Sequence, residues 1–401
     1  MKWIELGKLV EQIRGVTYKK NDVTTNKKEG YVPIIRANNI QDFKFDYSDL
    51  LYIDPKKIKK EQFVKDGDII IASSSGSKKV VGKAVQALEN MDFSFGAFCK
   101  VIRIINNKVN NRYLGYYFNS DSYRNKISNL AEGANINNIR NEHIYNLKIL
   151  IPPMETQDKI VEVLDQAQAL IGKRKEQIET LDQLIESIFY TMFGDPIRNE
   201  KDWKVKGLKN VTSKIGSGST PRGGESSYKK LGISLIRSMN IYDNEFRYDG
   251  LAYIDEKQAE SLSNVIVKDS DILINITGAS ITRTTIIPKN ILPARVNQHV
   301  SILRCKNQLN YIYLLHLLIS KKYKQKIYYI STSGGATREA LTKKDLENLE
   351  IPIPPLPLQN KFAQKVGAIE KQKVLLNKSL NLLEENYKSI MDKAFKGQLF
   401  S

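Results

Sequence analysis

The chain has 401 residues, enough for two to four domains at ~100–200 residues each, and its 41% hydrophobic and 26% charged residues exclude a globally disordered polypeptide. Sixty-two Lys+Arg against 44 Asp+Glu give a formal net charge of +18, an excess that points to a polyanionic partner. Only Cys99 and Cys305 occur, the three histidines are scattered, and no apolar run approaches the ~20 residues of a membrane span, which excludes a disulfide framework, a Cys-x-x-Cys zinc site and a membrane anchor of that kind and makes a reducing cytoplasm the expected setting.

The N-terminal segment around Trp3 lacks an uninterrupted apolar core of signal-peptide length. It is also the first of a long series of echoes. Trp3 and Trp203 are the only tryptophans, and the agreement continues at an offset of 200 to 203. Gly15-Val16-Thr17-Tyr18 returns as Gly218-Ser219-Thr220-Pro221. Ile35-Arg36 with Asn39-Ile40 returns as Ile236-Arg237 with Asn240-Ile241. LLYID at 50–54 returns as LAYID at 251–255, and VKDGDIII at 64–71 as VKDSDILI at 267–274. Such a period is far too long for a solenoid or propeller, so a whole module is written twice in tandem.

Each copy begins with about 150 residues of mixed pattern. Apolar, β-branched runs at 68–71, 100–104 and 300–303 predict strands. Gly/Ser/Asn segments at 72–78, 133–138 and 331–337 predict loops. Strand and helix signals do not alternate regularly, so the class is α+β. Pro152-Pro153 and Pro354-Pro355 then close a strand, and a helix can begin only after them.

From there an a/d stripe runs over more than four heptads. In copy one it reads Ile160, Leu164, Ala167, Ile171, Arg174, Ile178, Leu181, Ile185, Ile188, Met192. In copy two it reads Phe362, Val366, Ile369, Lys373, Leu376, Leu380, Leu383, Tyr387, Ile390, Ala394. This predicts a coiled coil, with Arg174 and Lys373 expected to snorkel outward. The domains expected are a globular region at 1–153, a spacer helix at 154–193, a second globular region at 194–355 and a C-terminal spacer helix at 356–401. If the helices pair antiparallel, the object is pseudo-two-fold, with two heads on a rod about 55–60 Å long at ~1.5 Å per residue.

Two similar but divergent modules, each with a Trp-led start and a Gly-x-Thr turn (Gly15-Thr17, Gly218-Thr220), resemble the specificity subunit of a type I restriction–modification system. Ile-Pro-Pro followed by Gln157 or Gln359 and a long heptad helix, and the Phe193-Gly194-Asp195-Pro196 junction, are similar to that family too. The resemblance spans the whole chain and rests on order, spacing and duplication. Tyr18 stands where the second copy has Pro221, and both are familiar variants. The resemblance implies two target recognition domains that each read half of a split, asymmetric sequence in double-stranded DNA. It implies helices that set the gap and dock two methyltransferase subunits, and a full complex with endonuclease/translocase subunits. S-adenosylmethionine and ATP with Mg then belong to those partners, and this chain holds no cofactor.

The residues themselves carry no catalytic signature. The double prolines follow Ile and lack the Asn/Asp that an adenine methyltransferase places before them. Gly76 to Lys83 has one residue too many for a phosphate loop, Pro221 replaces the third glycine of a dinucleotide fingerprint, and Gly-x-Ser-x-Gly is absent. What remains is recognition. Bases are read by Arg/Lys on guanine and Asn/Gln on adenine, and phosphates take Lys, Ser and backbone N–H. The polar loops supply such groups: Ser74, Ser75, Lys78, Lys79, Asn135, Asn138 and Arg140 in copy one, and Thr277, Ser280, Arg283, Thr337 and Arg338 in copy two. Matching loops with different polar residues are what two unlike half-sites require. Arg36 and Arg237 recur at one place in both copies, so a structural or phosphate role suits them better. The rival readings are a self-sufficient DNA methyltransferase or nuclease, and a coiled-coil adaptor with no DNA role.

Overall fold

The computed structural model describes the chain except Asp42, Lys78, residues 134–137, residues 333–338 and Ser401. It divides into two compact units, Met1–Lys175 with Lys378–Ser401, and Glu176–Asn377. The division falls inside both long helices, Met154–Phe193 and Leu356–Lys396. No helix among the described residues is long and apolar enough to cross a membrane.

In the first unit a four-stranded antiparallel sheet runs Val10–Arg14, Cys99–Ile104, Ile69–Ala72, Ala84–Gln86. Both faces are covered, which is why its central strands read as unbroken apolar runs rather than alternating ones. Ile69, Ile71 and Ile102 enter a core shared with helix Asn111–Phe118 and with the long-helix residues Ile160, Leu164, Ile171, Tyr387, Met391 and Phe395. Their neighbours Ile70, Ala72, Val101 and Cys99 enter a second core against the other sheet. That sheet holds Ser94–Phe95 beside Val32–Ile35 in a parallel pair, followed by Leu51–Ile53 and Val23–Thr24. Lys2–Glu5 pairs with Lys148–Ile151, so the start of the module closes on the strand before its double proline. Lys175 pairs with Glu384 at 2.8 Å between the two long helices.

The second unit repeats this plan: Thr212–Ser217, Val300–Cys305, Ile272–Asn275 and Thr284–Ile286 form one sheet. Ile272, Ile274 and Leu303 face the helices, while Leu273, Val300 and Ile302 face the second core. Lys204–Gly207 closes on Glu350–Ile353. The apolar stretch Tyr311–Ile319 is a buried helix. The long helices run antiparallel here, Asp182 meeting Lys373 and Phe193 meeting Phe362 with ring centroids 5.3 Å apart. The class is therefore α+β, one module present twice, with an antiparallel helical coiled coil.

The residues that carry the family resemblance turn out to be braces. Gly15 and Gly218 are demanded by close approach, since a Cβ would lie 2.1 Å from the Gly96 carbonyl oxygen in one and 1.8 Å from that of Val296 in the other. Gln157 and Gln359 are fully buried. Each accepts the backbone N–H of Asn110 or Asn310 at 2.8 Å and donates to the carbonyl of Pro152 or Pro354, at 2.9 and 2.8 Å. Arg36 donates to the Asp49 carbonyl and carboxylate, and Arg237 to Glu225 and the Gly250 carbonyl.

Two details differ from the helix pattern. Lys373 does not reach outward: its side chain is 14% exposed and pairs with Asp182 and Glu370. It lies beside the buried His316 in a cavity of about 750 Å³. The stripe also shifts at the helix ends, where Phe189, Phe193, Met391 and Phe395 are buried in place of Ile188, Met192 and Ile390. A straight helix drifts ~20° per heptad from a 3.5 repeat, and the ends pack on a third element. Phe193 meets Tyr313 at 4.7 Å and Phe395 meets Tyr113 at 5.1 Å.

Candidate nucleic-acid interface

In each unit the strand that follows the Asp-led motif runs straight into a polar loop. Its first turn is pinned by a buried carboxylate. Asp68 takes Nε and Nη2 of Arg103 at 2.8 and 2.7 Å, and Asp271 takes the same atoms of Arg304 at the same distances.

Beyond the strand, the two loops marked by sequence come together. In the first unit, Ser74 and Asn138 form an isolated antiparallel bridge, and Ile139 N donates to the Ser73 carbonyl at 2.7 Å. In the second, Thr277 bridges Ala340, Leu341 N donates to the Ile276 carbonyl at 2.8 Å, and Gly278 N to the Glu339 carbonyl at 3.1 Å.

Of the first loop pair, Ser74 and Ser75 are half-buried, while Lys79, Asn138 and Arg140 are exposed. Ser75 Oγ accepts Ser77 N at 3.2 Å. The backbone at Lys79 is held by Arg124, whose Nη2 donates to the Lys79 carbonyl at 3.1 Å. Arg140 lies 3.8 Å from Glu142. Lys100 Nζ reaches the Ile139 carbonyl at 2.8 Å and Asn141 at 2.7 Å, and burial lowers its pKa.

In the second pair, Thr277, Ser280 and Arg283 line one groove of about 490 Å³ with Ser238, Tyr242 and His299. Arg283 lies 4.2 Å and Arg247 3.4 Å from the Tyr242 ring centre, so two guanidinium groups share one aromatic platform. Thr277 Oγ1 is 2.6 Å from His299 Nδ1, and His299 Nε2 is 3.0 Å from Gln298 Nε2. The Thr220 hydroxyl of the Gly-x-Thr turn donates to Gln298 Oε1. Lys78, Asn135, Thr337 and Arg338 lie outside the described residues.

Sequence reasoning misses Phe98, Tyr242, Arg247, Gln298 and His299, the last counted only as one of three scattered histidines. The one signal for His299 is its place just before the second-copy strand, opposite Phe98 in the first. The groove holds hydroxyls, an imidazole and the Arg283 guanidinium, with the Gln298 amide bonded to its His299, the donors and acceptors that base edges and phosphates take. Among the described residues no cluster of His, Cys, Asp or Glu could hold a metal ion. Burial pushes the Cys99 and Cys305 thiols up to about 12, which favours the protonated thiol over the nucleophilic thiolate.

The family described as Type I restriction modification DNA specificity domain matches residues 1–180 and again 200–385. The chain belongs to this family. Its function is that of a DNA specificity subunit of a type I restriction–modification system. The EcoKI specificity subunit of Escherichia coli K12 is 29% identical over 96% of this chain and 86% of its own length. The StySPI specificity subunit of Salmonella potsdam is likewise 29% identical, over 96% and 86%. In fold, the chain is similar to one from a type I restriction–modification complex studied for its assembly and conformational transition, at a TM-score of 0.60 and 20% identity over 99% of this chain and 98% of that one. It is also similar to the type I S subunit of M. genitalium, at a TM-score of 0.53 and 15% identity over 98% and 96%.

Proposed function

We propose that this specificity subunit reads a bipartite, asymmetric DNA target, one half with the globular region 1–153 and the other with 194–355. The helices 154–193 and 356–401 serve as spacers on which two methyltransferase subunits dock. Endonuclease/translocase subunits complete the complex. The chain does no chemistry of its own, works in the cytoplasm, and leaves S-adenosylmethionine, ATP and Mg to its partners.

One observation carries the reading: the same pair of loops is zipped together in both copies of one frame, and the side chains on them differ. Ser74 with Asn138 stands in one copy, and Thr277, Ser280 and Arg283 with His299 in the other. Ser74, Ser75, Lys78, Lys79, Asn135, Asn138 and Arg140 are the candidate DNA contacts of the first half. Thr277, Ser280, Arg283, Thr337 and Arg338 are those of the second. The net charge of +18 suits a phosphate backbone.

Single-molecule methylation mapping of the host genome, with the gene present and deleted, tests this. A split motif that vanishes on deletion is the expected result. Methylation unaltered by deletion would overturn it. Binding of the assembled complex to that motif should also fall steeply with salt, at a log–log slope of about 0.9 per phosphate neutralised.

A further inference from the structure

Phe98 and His299 occupy one place on the duplicated frame. The Phe98 carbonyl accepts the N–H groups of Ser73 and Ser74 at 2.9 and 3.0 Å, and the His299 carbonyl accepts that of Ile276 at 3.0 Å. Each is followed at once by the long strand, Cys99–Ile104 or Val300–Cys305. Each therefore leaves the frame beside the bridge that joins the two polar loops.

Their chemistry is opposite. The Phe98 side chain is 68% exposed, the largest exposure among the phenylalanines of the described residues, and it stands among serines and asparagines. His299 is half-buried and held from both sides, by Thr277 at Nδ1 and by Gln298 at Nε2. Gln298 is itself exposed and fixed by the Thr220 hydroxyl. Those bonds leave its amide one N–H and one oxygen lone pair. A glutamine so held presents a preformed donor–acceptor pair, which matches N7 and N6 of adenine in the major groove. Gln298 corresponds to Ala97 in the first unit, and the exposed phenyl ring stands one residue later, at the place of His299, with no hydrogen bond to offer. Its match in the major groove is the thymine methyl group.

We propose that the two residues just before the long strand, Ala97-Phe98 in one unit and Gln298-His299 in the other, determine specificity. In the first unit Phe98 selects thymine by apolar contact, and in the second Gln298, positioned by His299 and Thr220, selects adenine. The proposal rests on the reading of each unit as a half-site reader. It explains how one backbone frame obtains two unlike readouts without changing its hydrogen-bonded loops.

The test uses the full chain expressed with its own partner subunits, and methylation mapping of the host genome. Phe98→Ala should relax one or two adjacent positions, thymine among them, in one half-site and leave the other half unchanged. Gln298→Ala should relax an adenine in the other half only. Binding assays on a duplex carrying the mapped motif add a second readout. Deoxyuridine in place of the selected thymine should weaken the parent complex about tenfold or more and leave the Phe98→Ala complex unaffected.

Variants that methylate the parental motif with unchanged fidelity would overturn the proposal. So would a uniform loss at every site with no change of motif, which would mark these residues as structural. Gene deletion that leaves all methylation in place would instead refute the half-site reading itself, which keeps the two failures distinct.

Discussion

Replacing Asp271 with alanine asks how much one buried ion pair contributes to the strand that runs into the polar loop of the second unit. Asp271 is fully buried, its oxygens take two Arg304 nitrogens at 2.8 and 2.7 Å, and Oδ2 also takes Lys268 N at 2.7 Å. Its carbonyl accepts Ile287 N from the neighbouring strand's end. Removing one partner of a wholly buried pair costs about 3–5 kcal/mol, because the other charge is left without compensation. The Arg304 side chain is 24% exposed, so water can rehydrate it in part, and the expected loss falls to about 2–3 kcal/mol. In a double-mutant cycle of Asp271→Ala with Arg304→Ala, the coupling should be about 1.5–3 kcal/mol.

The molecule supplies its own reporters, since each unit holds one tryptophan. In a Trp3→Phe background, urea unfolding followed by Trp203 fluorescence reads the second unit alone, and a lower midpoint at unchanged slope gives the loss. The twin pair Asp68–Arg103, with the same two distances, is the internal control, read through Trp3 in a Trp203→Phe background. Coupling below about 0.5 kcal/mol at both pairs would refute the idea that the fork pins this strand.

Gly218→Ala and Gly15→Ala each press a methyl onto a carbonyl oxygen at 1.8 and 2.1 Å. Each should lower the stability of its unit by about 3 kcal/mol, seen as a drop in the urea midpoint. His316 is buried against Phe362, facing Lys373 and Asp182, and its pKa is pushed from 6.5 down to about 4, chiefly by burial. The unfolded chain thus takes up a proton that the folded one refuses, so the second unit is fully stabilised above pH ~6.5 and loses about 3 kcal/mol as the pH falls to ~4. His316→Leu should flatten that limb relative to the parent, and parallel pH curves would refute the assignment. Ser270 holds the left-handed φ of +66° that Gly67 holds at +81° in the other copy. Ser270→Gly should therefore raise the midpoint, by about 0.5–1 kcal/mol after glycine's own entropy cost is subtracted.

Much was decided locally and could be read from the chain. The tandem repeat is a property of the letters alone. Helix starts at Met154 and Leu356 follow from Pro153 and Pro355, because a proline ring blocks the preceding turn whatever surrounds it. The apolar runs at Ile69–Ala72 and Ile272–Asn275 report strands covered on both faces. Even the two candidate contact loops were legible as polar segments after those strands.

Other features needed the tertiary structure. Periodicity tells which face an isolated helix buries, but Phe189 and Met391 are buried because Tyr313 and its counterparts add a third wall. Lys373 turns inward because Asp182 of the other helix stands opposite it, a partner that its own heptad does not contain. Gly15 and Gly218 are irreplaceable only because a distant carbonyl lies against them. The meeting of Ser74 with Asn138, and of Thr277 with Ala340, depends on sheet register and on how the core seats the intervening helices. So does the exposure of Phe98 beside that junction. Chain neighbours determine backbone conformation, but the chemistry of this surface is made by residues remote in the chain, and only packing decides which of them share it.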